Sequence, residues 1–203
     1  MGRFREKPRM NLSQKVRAFV GAAEASYAAR VTDPEGMRST REIFARLGQG
    51  ALIPDENVQP ERFAVCDWLG KVTVPAGDLD DVLRAFRALE THLRWYRRDC
   101  AASRALPGFA DAHANAMVVG RGGLVPHDRV TLGLSLIAPG TRYPDHDHPP
   151  EETYLSLSDG EFFHGESDWF TPGVGGTFHN TPGMLHAMRS GKGPLCAIWA
   201  LQS

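Results

Sequence analysis

Cysteine, net charge and long apolar runs are all scarce in this chain. Only three cysteines occur, Cys66, Cys100 and Cys196. They are odd in number, far apart and form no C-x-x-C pair, which excludes a disulfide framework and a thiolate zinc site. Each is expected as a small buried hydrophobe. The formal net charge is -1, so no general field attracts nucleic acid or an anionic membrane. No apolar run approaches the length of a membrane span. Met1-Gly2-Arg3-Phe4-Arg5-Glu6-Lys7 is basic, but no apolar segment follows as in a secretory leader, and position 6 lacks the Ser or Thr of a myristoylation signal. Internal repeats and low-complexity tracts are absent too. These absences lead to the expectation of a bacterial-type cytoplasmic protein with no nucleic-acid or membrane partner, acting as a monomer or homodimer.

What is present fits one compact soluble domain with a helical extension. The 203 residues are 42% apolar and 23% charged. The first half has helical spacing. Val16, Phe19, Val20, Ala23 and Tyr27 form one stripe, with Ser13 expected as the N-cap. A second helix is expected from Ser39 to Leu47, ended by Gly48. Pro60 is expected to open a short helix carrying Phe63 and Leu69. Asp78 is expected to cap the strongest helix, in which Leu79, Val82, Leu83, Phe86, Leu89, Leu93 and Tyr96 keep step. Its end would gather Arg94, Arg97 and Arg98, read either as a solvated helix end or as an anion site.

Near Ala116 the pattern changes to short alternating runs between Gly, Pro, Asn and Asp. Expected strands are 116–119, 129–137, 153–158, 160–164, 169–171, 177–179, 186–189 and 195–201. In the second, Leu132, Leu134 and Leu136 share a face. In the third, Leu155 and Leu157 oppose Tyr154 and Ser156. The fold class is therefore α+β. Residues 1–112 form a helical N-terminal region packing on a β-barrel of residues 113–203, and such a barrel can hold a ligand in its mouth.

Chemistry concentrates between Gly140 and Gly160. His146 and His148 lie on one side of an extended backbone, and Glu152 and Tyr154 are again two apart. If Pro149-Pro150 turns the chain, both pairs enter one cavity. Imidazole and carboxylate are good ligands for a divalent transition metal. A further histidine, His186, follows in Pro182-Gly183-Met184-Leu185-His186. Of the eight histidines, His164 and His179 are read as structural, and His92, His113 and His127 receive no role.

Gly140, His146, His148 and Glu152 resemble the first cupin motif, G-x5-H-x-H-x3-E-x6-G, with Gly160 one residue late. Gly176, Pro182, Gly183 and His186 resemble the second, although Pro182 abuts Gly183 and Ser190 replaces a common Asn. The resemblance implies a double-stranded β-helix barrel with a metal inside. The segment Tyr143 to Leu155, with the helical first half, is similar to the cupin-type dimethylsulfoniopropionate (DMSP) lyases of marine bacteria, most like the Q type. That resemblance implies ligation of one divalent transition metal by His148, Glu152, Tyr154 and His186. Zn2+ or Fe2+ is expected, with Mn2+, Co2+ and Ni2+ as alternatives. It also implies that Tyr143 lies at the substrate and that His146 is near the metal without being a clear ligand.

The implied reaction is β-elimination of a zwitterion to dimethyl sulfide and acrylate, the work of a carbon-sulfur lyase. Its leaving group departs neutral, so the demanding step is removal of a proton beside a carboxylate. A metal can stabilise the charge that develops there. Tyr154 and Tyr143 are both candidates for the base. The sulfonium needs aromatic faces, for which Trp169 and Trp199 are candidates. Another metal-dependent cupin enzyme, such as a dioxygenase or isomerase, and a non-catalytic small-molecule-sensing cupin are the alternatives.

Overall fold

A computed structural model describes residues 10–99, 101–104 and 106–202. The basic segment Met1–Lys7 and Cys100 lie outside the described residues. Helices α1 (Leu12–Arg30), α2 (Pro34–Gln49) and α3 (Asp78–Leu89) come first, with a 3-10 segment, Ala64–Lys71, between α2 and α3. Strand β1 (Trp95–Tyr96) and two single turns of helix, α4 (Ala101–Arg104) and α5 (Phe109–Ala112), lead into the barrel. The barrel strands are β2 (His113–Val119), β3 (Val130–Ile137), β4 (Arg142–His146), β5 (Glu151–Ser156), β6 (Glu161–His164), β7 (Thr177–Asn180), β8 (His186–Arg189) and β9 (Leu195–Gln202).

They form two antiparallel sheets, a six-stranded one in the order β1-β2-β3-β9-β5-β7 and a three-stranded one in the order β4-β8-β6. The six-stranded sheet is buried on both faces. Leu132, Leu134, Leu136, Leu155, Cys196, Ile198 and Ala200 join the helices in one core. Ile137, Tyr154, Leu195, Ala197 and Trp199 turn the other way, toward Tyr143, Phe162 and Met188 of the second sheet. The helical half thus covers the outer face of the barrel. The Tyr27 hydroxyl of α1 donates to the main-chain oxygens of Thr153 (2.9 Å) and Ile198 (3.3 Å), pinning that cover to β5 and β9. No described helix is long and apolar enough to cross a membrane. Cys66 and Cys196 are buried and unpaired, as expected of small hydrophobes.

Several boundaries differ from the sequence expectation. The cap of α1 is Asn11, not Ser13, because Asn11 and Gln14 bond each other's main chain reciprocally at 2.9 Å. Asp33 caps α2 with Pro34 in the first turn, so the helix starts before Ser39 and runs through Gly48. Pro60 opens no helix, since the 3-10 segment begins at Ala64. Asp78 lies inside α3 and its carboxylate is taken by Arg30 at 2.6 and 2.8 Å.

The largest change is at the end of α3, which stops at Leu89 instead of continuing to Arg98. Leu93 and Trp95 are buried two residues apart, a strand period that overlaps the helical one. Glu61 clamps this extended chain, accepting from Trp95 N–H (3.0 Å) and donating to Leu93 O (3.2 Å). Arg94, Arg97 and Arg98 therefore stand at no helix end, and each goes its own way. Residues 169–171 form no strand, only a bridge between Phe162 and Phe170. Strand β4 was not expected, because Pro144 lies within it and a bulge interrupts its register between Tyr143 and His146.

Candidate functional site

The bulge in β4 is the first device of the site. It lets Tyr143 and His146, three residues apart, both turn inward. His146 and His164 then flank His186 across the three-stranded sheet, each its direct partner in register. From the facing sheet, Glu152 and Tyr154 of β5 point back into the same space. The turn before His186 is tied to the first motif by Gly183, whose φ of 71° suits glycine and whose N–H donates to His148 O (2.9 Å).

His148, Glu152 and His186 converge. Their donor atoms lie within 4.8 Å of one another. His148 Nε2 is 3.1 Å and His186 Nε2 3.2 Å from the same Glu152 oxygen. The other nitrogen of each ring is engaged by the backbone, Nδ1 of His148 by Pro150 O and Nδ1 of His186 by Met184 O, both at 2.8 Å. A neutral ring so held carries its hydrogen on Nδ1 and points an Nε2 lone pair at the carboxylate. Lone pairs and a carboxylate oxygen in contact repel unless a cation stands among them. His186 Nε2 is moreover buried without a hydrogen-bond partner. The donor set and the orphaned nitrogen fit a divalent transition metal. In the other proton arrangement, with an Nε2 hydrogen on each ring, burial still works to neutralise Glu152, but donation and positive charge from the two imidazoles outweigh it and hold its carboxyl well below the usual range.

Outer residues brace this set. Asn180 Nδ2 donates to Glu152 (3.4 Å), and Asn180 Oδ1 meets His164 Nδ1 at 2.8 Å. His164, read from sequence as structural, supports Glu152 through Asn180. His179 is on the outer face, against Thr153 Oγ1 at 2.9 Å. His146 packs its ring 4.0 Å from that of His186, and its Nδ1 meets Pro144 O at 2.9 Å. Burial keeps His146 neutral, with its pKa pushed down to about 3. Tyr154 stacks on Phe178 (5.0 Å, 17°), and its hydroxyl faces Glu152. Burial first, and then Glu152, push that phenol well above its ordinary pKa.

A cavity of about 270 Å³ opens beside the donor set. Tyr96, Met117, Tyr154, Met188, Trp199 and Leu201 give it an apolar and aromatic wall, while Arg98, Asn115, Ser135 and Tyr143 give it a polar one. Trp199, one of the two tryptophan candidates, lines the cavity. Trp169 does not line the cavity. It packs on Phe163 and carries Arg189 over its ring at 4.3 Å and Arg142 at 5.6 Å, so cations already occupy its faces.

Sequence reading missed Arg98, Asn115 and Ser135. Arg98 was assigned to a helix end that does not form. Asn115 and Ser135 are lone polar residues in apolar runs, and only their inward parity on β2 and β3 distinguishes them.

A His/Glu donor set between two facing antiparallel sheets of a barrel is an arrangement that could hold a divalent metal. The family model for dimethylsulfoniopropionate lyases matches residues 35–197, and the chain belongs to that family. The putative dimethylsulfoniopropionate lyase DddL of Cereibacter sphaeroides is 28% identical over 123 residues, 60% of this chain and 50% of that protein. The chain thus spans about half the length of the curated relative it matches. Among solved structures, the DMSP lyase DddQ from Ruegeria pomeroyi DSS-3 superposes with a TM-score of 0.72 at 23% identity, over 93% of this chain and 91% of that one. A chain from the crystal structures of the DMSP lyases RdDddP and RnDddQII gives 0.74 at 17% identity, over 95% and 94%. These likenesses establish a shared fold that includes the helical half.

Proposed function

We infer that this protein is a metal-dependent carbon-sulfur lyase that cleaves dimethylsulfoniopropionate by β-elimination. The observation that carries the reading is the setting of Tyr143. Its hydroxyl shares the cavity with the His148–Glu152–His186 set and accepts hydrogen bonds from Asn115 Nδ2 (3.3 Å) and from Arg98. A divalent metal, Zn2+ or Fe2+ by preference, would be held by His148, Glu152 and His186 with Tyr154 beside them, and would supply Lewis acidity toward the substrate carboxylate. Tyr143, as its phenolate, takes the proton from the carbon next to the carboxylate and later releases it to solvent. The electron pair becomes the new C=C bond, the C–S bond breaks, and its electrons leave on sulfur. The products are dimethyl sulfide, acrylate and a proton, with no acid needed at the leaving group. Trp199, Tyr154 and the two methionine side chains offer the sulfonium a polarisable wall that makes no demand for hydrogen bonds.

Tyr143 is preferred to Tyr154 as the base because donors surround its oxygen, whereas the Tyr154 hydroxyl faces a carboxylate. Incubating the metal-loaded protein with dimethylsulfoniopropionate and measuring dimethyl sulfide by gas chromatography tests the activity. Release no greater than from a metal-stripped control ends the reading. Tyr143→Phe is expected to lower kcat by ~10²–10⁴-fold with metal content unchanged, the range for loss of a general base. Near-normal turnover in Tyr143→Phe, with loss in Tyr154→Phe, transfers the role to Tyr154.

A further inference from the structure

A chain of buried hydrogen bonds runs along the cavity wall and ends on Tyr143. The Trp199 indole N–H donates to Ser135 Oγ at 2.9 Å. Ser135 donates to Asn115 Oδ1 at 2.7 Å. Asn115 Nδ2 donates to the Tyr143 hydroxyl oxygen at 3.3 Å. The direction is fixed at the start, because an indole nitrogen only donates. Ser135 accepts there and gives its own hydrogen to Asn115. That bond sets the amide oxygen toward Ser135 and turns the NH2 group toward Tyr143. Strand register aligns the members, with Asn115 opposite Ser135 and Trp199 opposite Gly133. A Cβ at Gly133 would lie 2.1 Å from the indole, so only glycine lets the ring lie across β3 and reach Ser135.

Arg98 approaches the same oxygen from the segment after β1. Its main-chain N–H donates to His113 Nε2 (2.8 Å), and His113 Nδ1 meets Phe109 O (2.6 Å), which anchors the arginine at the cavity edge. The other titratable groups near Tyr143 are the rings of His113 and His146, Tyr96 and Tyr154, and the Glu152 carboxylate, which acts on it through space while its hydrogen bond is with Tyr154.

We propose that Trp199, Ser135 and Asn115, together with Arg98, are positioning residues for Tyr143, presenting only donors to its oxygen so that it gives up its proton within an otherwise apolar wall. Burial raises the Tyr143 phenol above its ordinary value, Arg98 and Asn115 pull it only part of the way back, and Glu152 adds to the rise. The proposal rests on Tyr143 being the base. A merely structural network would behave differently: its loss would lower the melting temperature and leave turnover of the folded protein alone.

The test compares Ser135→Ala, Ser135→Thr and Asn115→Asp in the full-length, metal-loaded protein. Melting temperature, metal content, kcat, KM and the pH profile of kcat are measured for each. The Tyr143 resonance is followed by NMR with 13Cζ-labelled tyrosine, assigned by its loss in Tyr143→Phe. Ser135→Ala is expected to lower kcat about tenfold or more with KM changed by no more than about twofold, in line with loss of a bond that strengthens as charge develops. Its pH profile and the Tyr143 midpoint move to higher pH. Ser135→Thr keeps a hydroxyl and restores both. Asn115→Asp turns a donor into an acceptor and has the larger effect. Wild-type kcat and an unmoved Tyr143 midpoint in Ser135→Ala overturn the proposal. If Asn115→Asp does not fold, Ser135→Ala decides by the same readouts. If the wild type releases no dimethyl sulfide, the lyase reading fails, and the NMR midpoint still decides whether the relay governs Tyr143.

Discussion

On strand β3, Leu132, Leu134 and Leu136 face the helices, while Gly133, Ser135 and Ile137 face the barrel interior. Strands β5 and β9 divide in the same way. Leu155 and Ile198 lie under α1 and α2, and Glu152, Tyr154 and Trp199 line the cavity. One backbone thus serves two environments a side chain apart. The outer face is aliphatic and closed by helices. The inner face carries a donor set, a polar relay and an aromatic wall. Because strand parity is two, the two faces are under separate physical demands, apolar volume on one and directed polar atoms on the other. Substitutions on the two faces should therefore fail in different ways.

The largest effect is expected inside. His186→Ala should lose bound metal, read by elemental analysis, and lower lyase turnover by more than ~100-fold, since even residues behind metal ligands cost 10–100-fold. Retained metal would break the assignment of the inner face. On the outer face, Leu134→Ala should destabilise the protein by ~2–5 kcal/mol in chemical denaturation, the cost of a large-to-small change in a closed core. Metal content and kcat of the folded fraction should not move. A matching fall in kcat would show that the two faces are coupled.

The smallest effect, and the sharpest on the boundary between the faces, is pH-dependent. His113 at the start of β2 is stacked on Phe109 at 3.7 Å, and burial holds its pKa down at about 4. Its folded pKa lies below the unfolded value of ~6.5, so the unfolded chain binds the extra proton first. Stability from this group is complete above about pH 6.5 and is lost as pH falls toward about 4. The slope is at most ~1.4 kcal/mol per pH unit for one proton. Melting temperatures across that window should fall for the wild type and fall less for His113→Gln. Equal slopes would remove His113 from the account.

Much of this organisation was legible beforehand. The leucine face of β3 and the opposition of Leu155 and Leu157 to Tyr154 were read from period two. Spacing brought His146, His148, Glu152, Tyr154 and His186 toward one cavity, and the donor atoms of His148, Glu152 and His186, a set the family resemblance implied together with Tyr154, lie within 4.8 Å of one another. Other features were hidden for physical reasons. Leu89, Leu93 and Tyr96 fit a helix as well as Leu93 and Trp95 fit a strand, and only the clamp by Glu61 decides between them. A proline and a bulge concealed β4, the strand that delivers Tyr143. Trp169 and Trp199 looked alike as aromatics of expected strands, yet Arg142 and Arg189 hold one outside while Ser135 holds the other at the cavity.

The sequence by itself determined the class of fold and the face of each long strand, because periodicity acts locally along the chain. Tertiary structure alone decided which tyrosine meets donors and which meets a carboxylate. Asn115, Ser135, Tyr143 and Trp199 come from four different strands, and Arg98 from the segment after β1. No pattern along the chain encodes the direction of hydrogen bonds that exist only after those strands are paired.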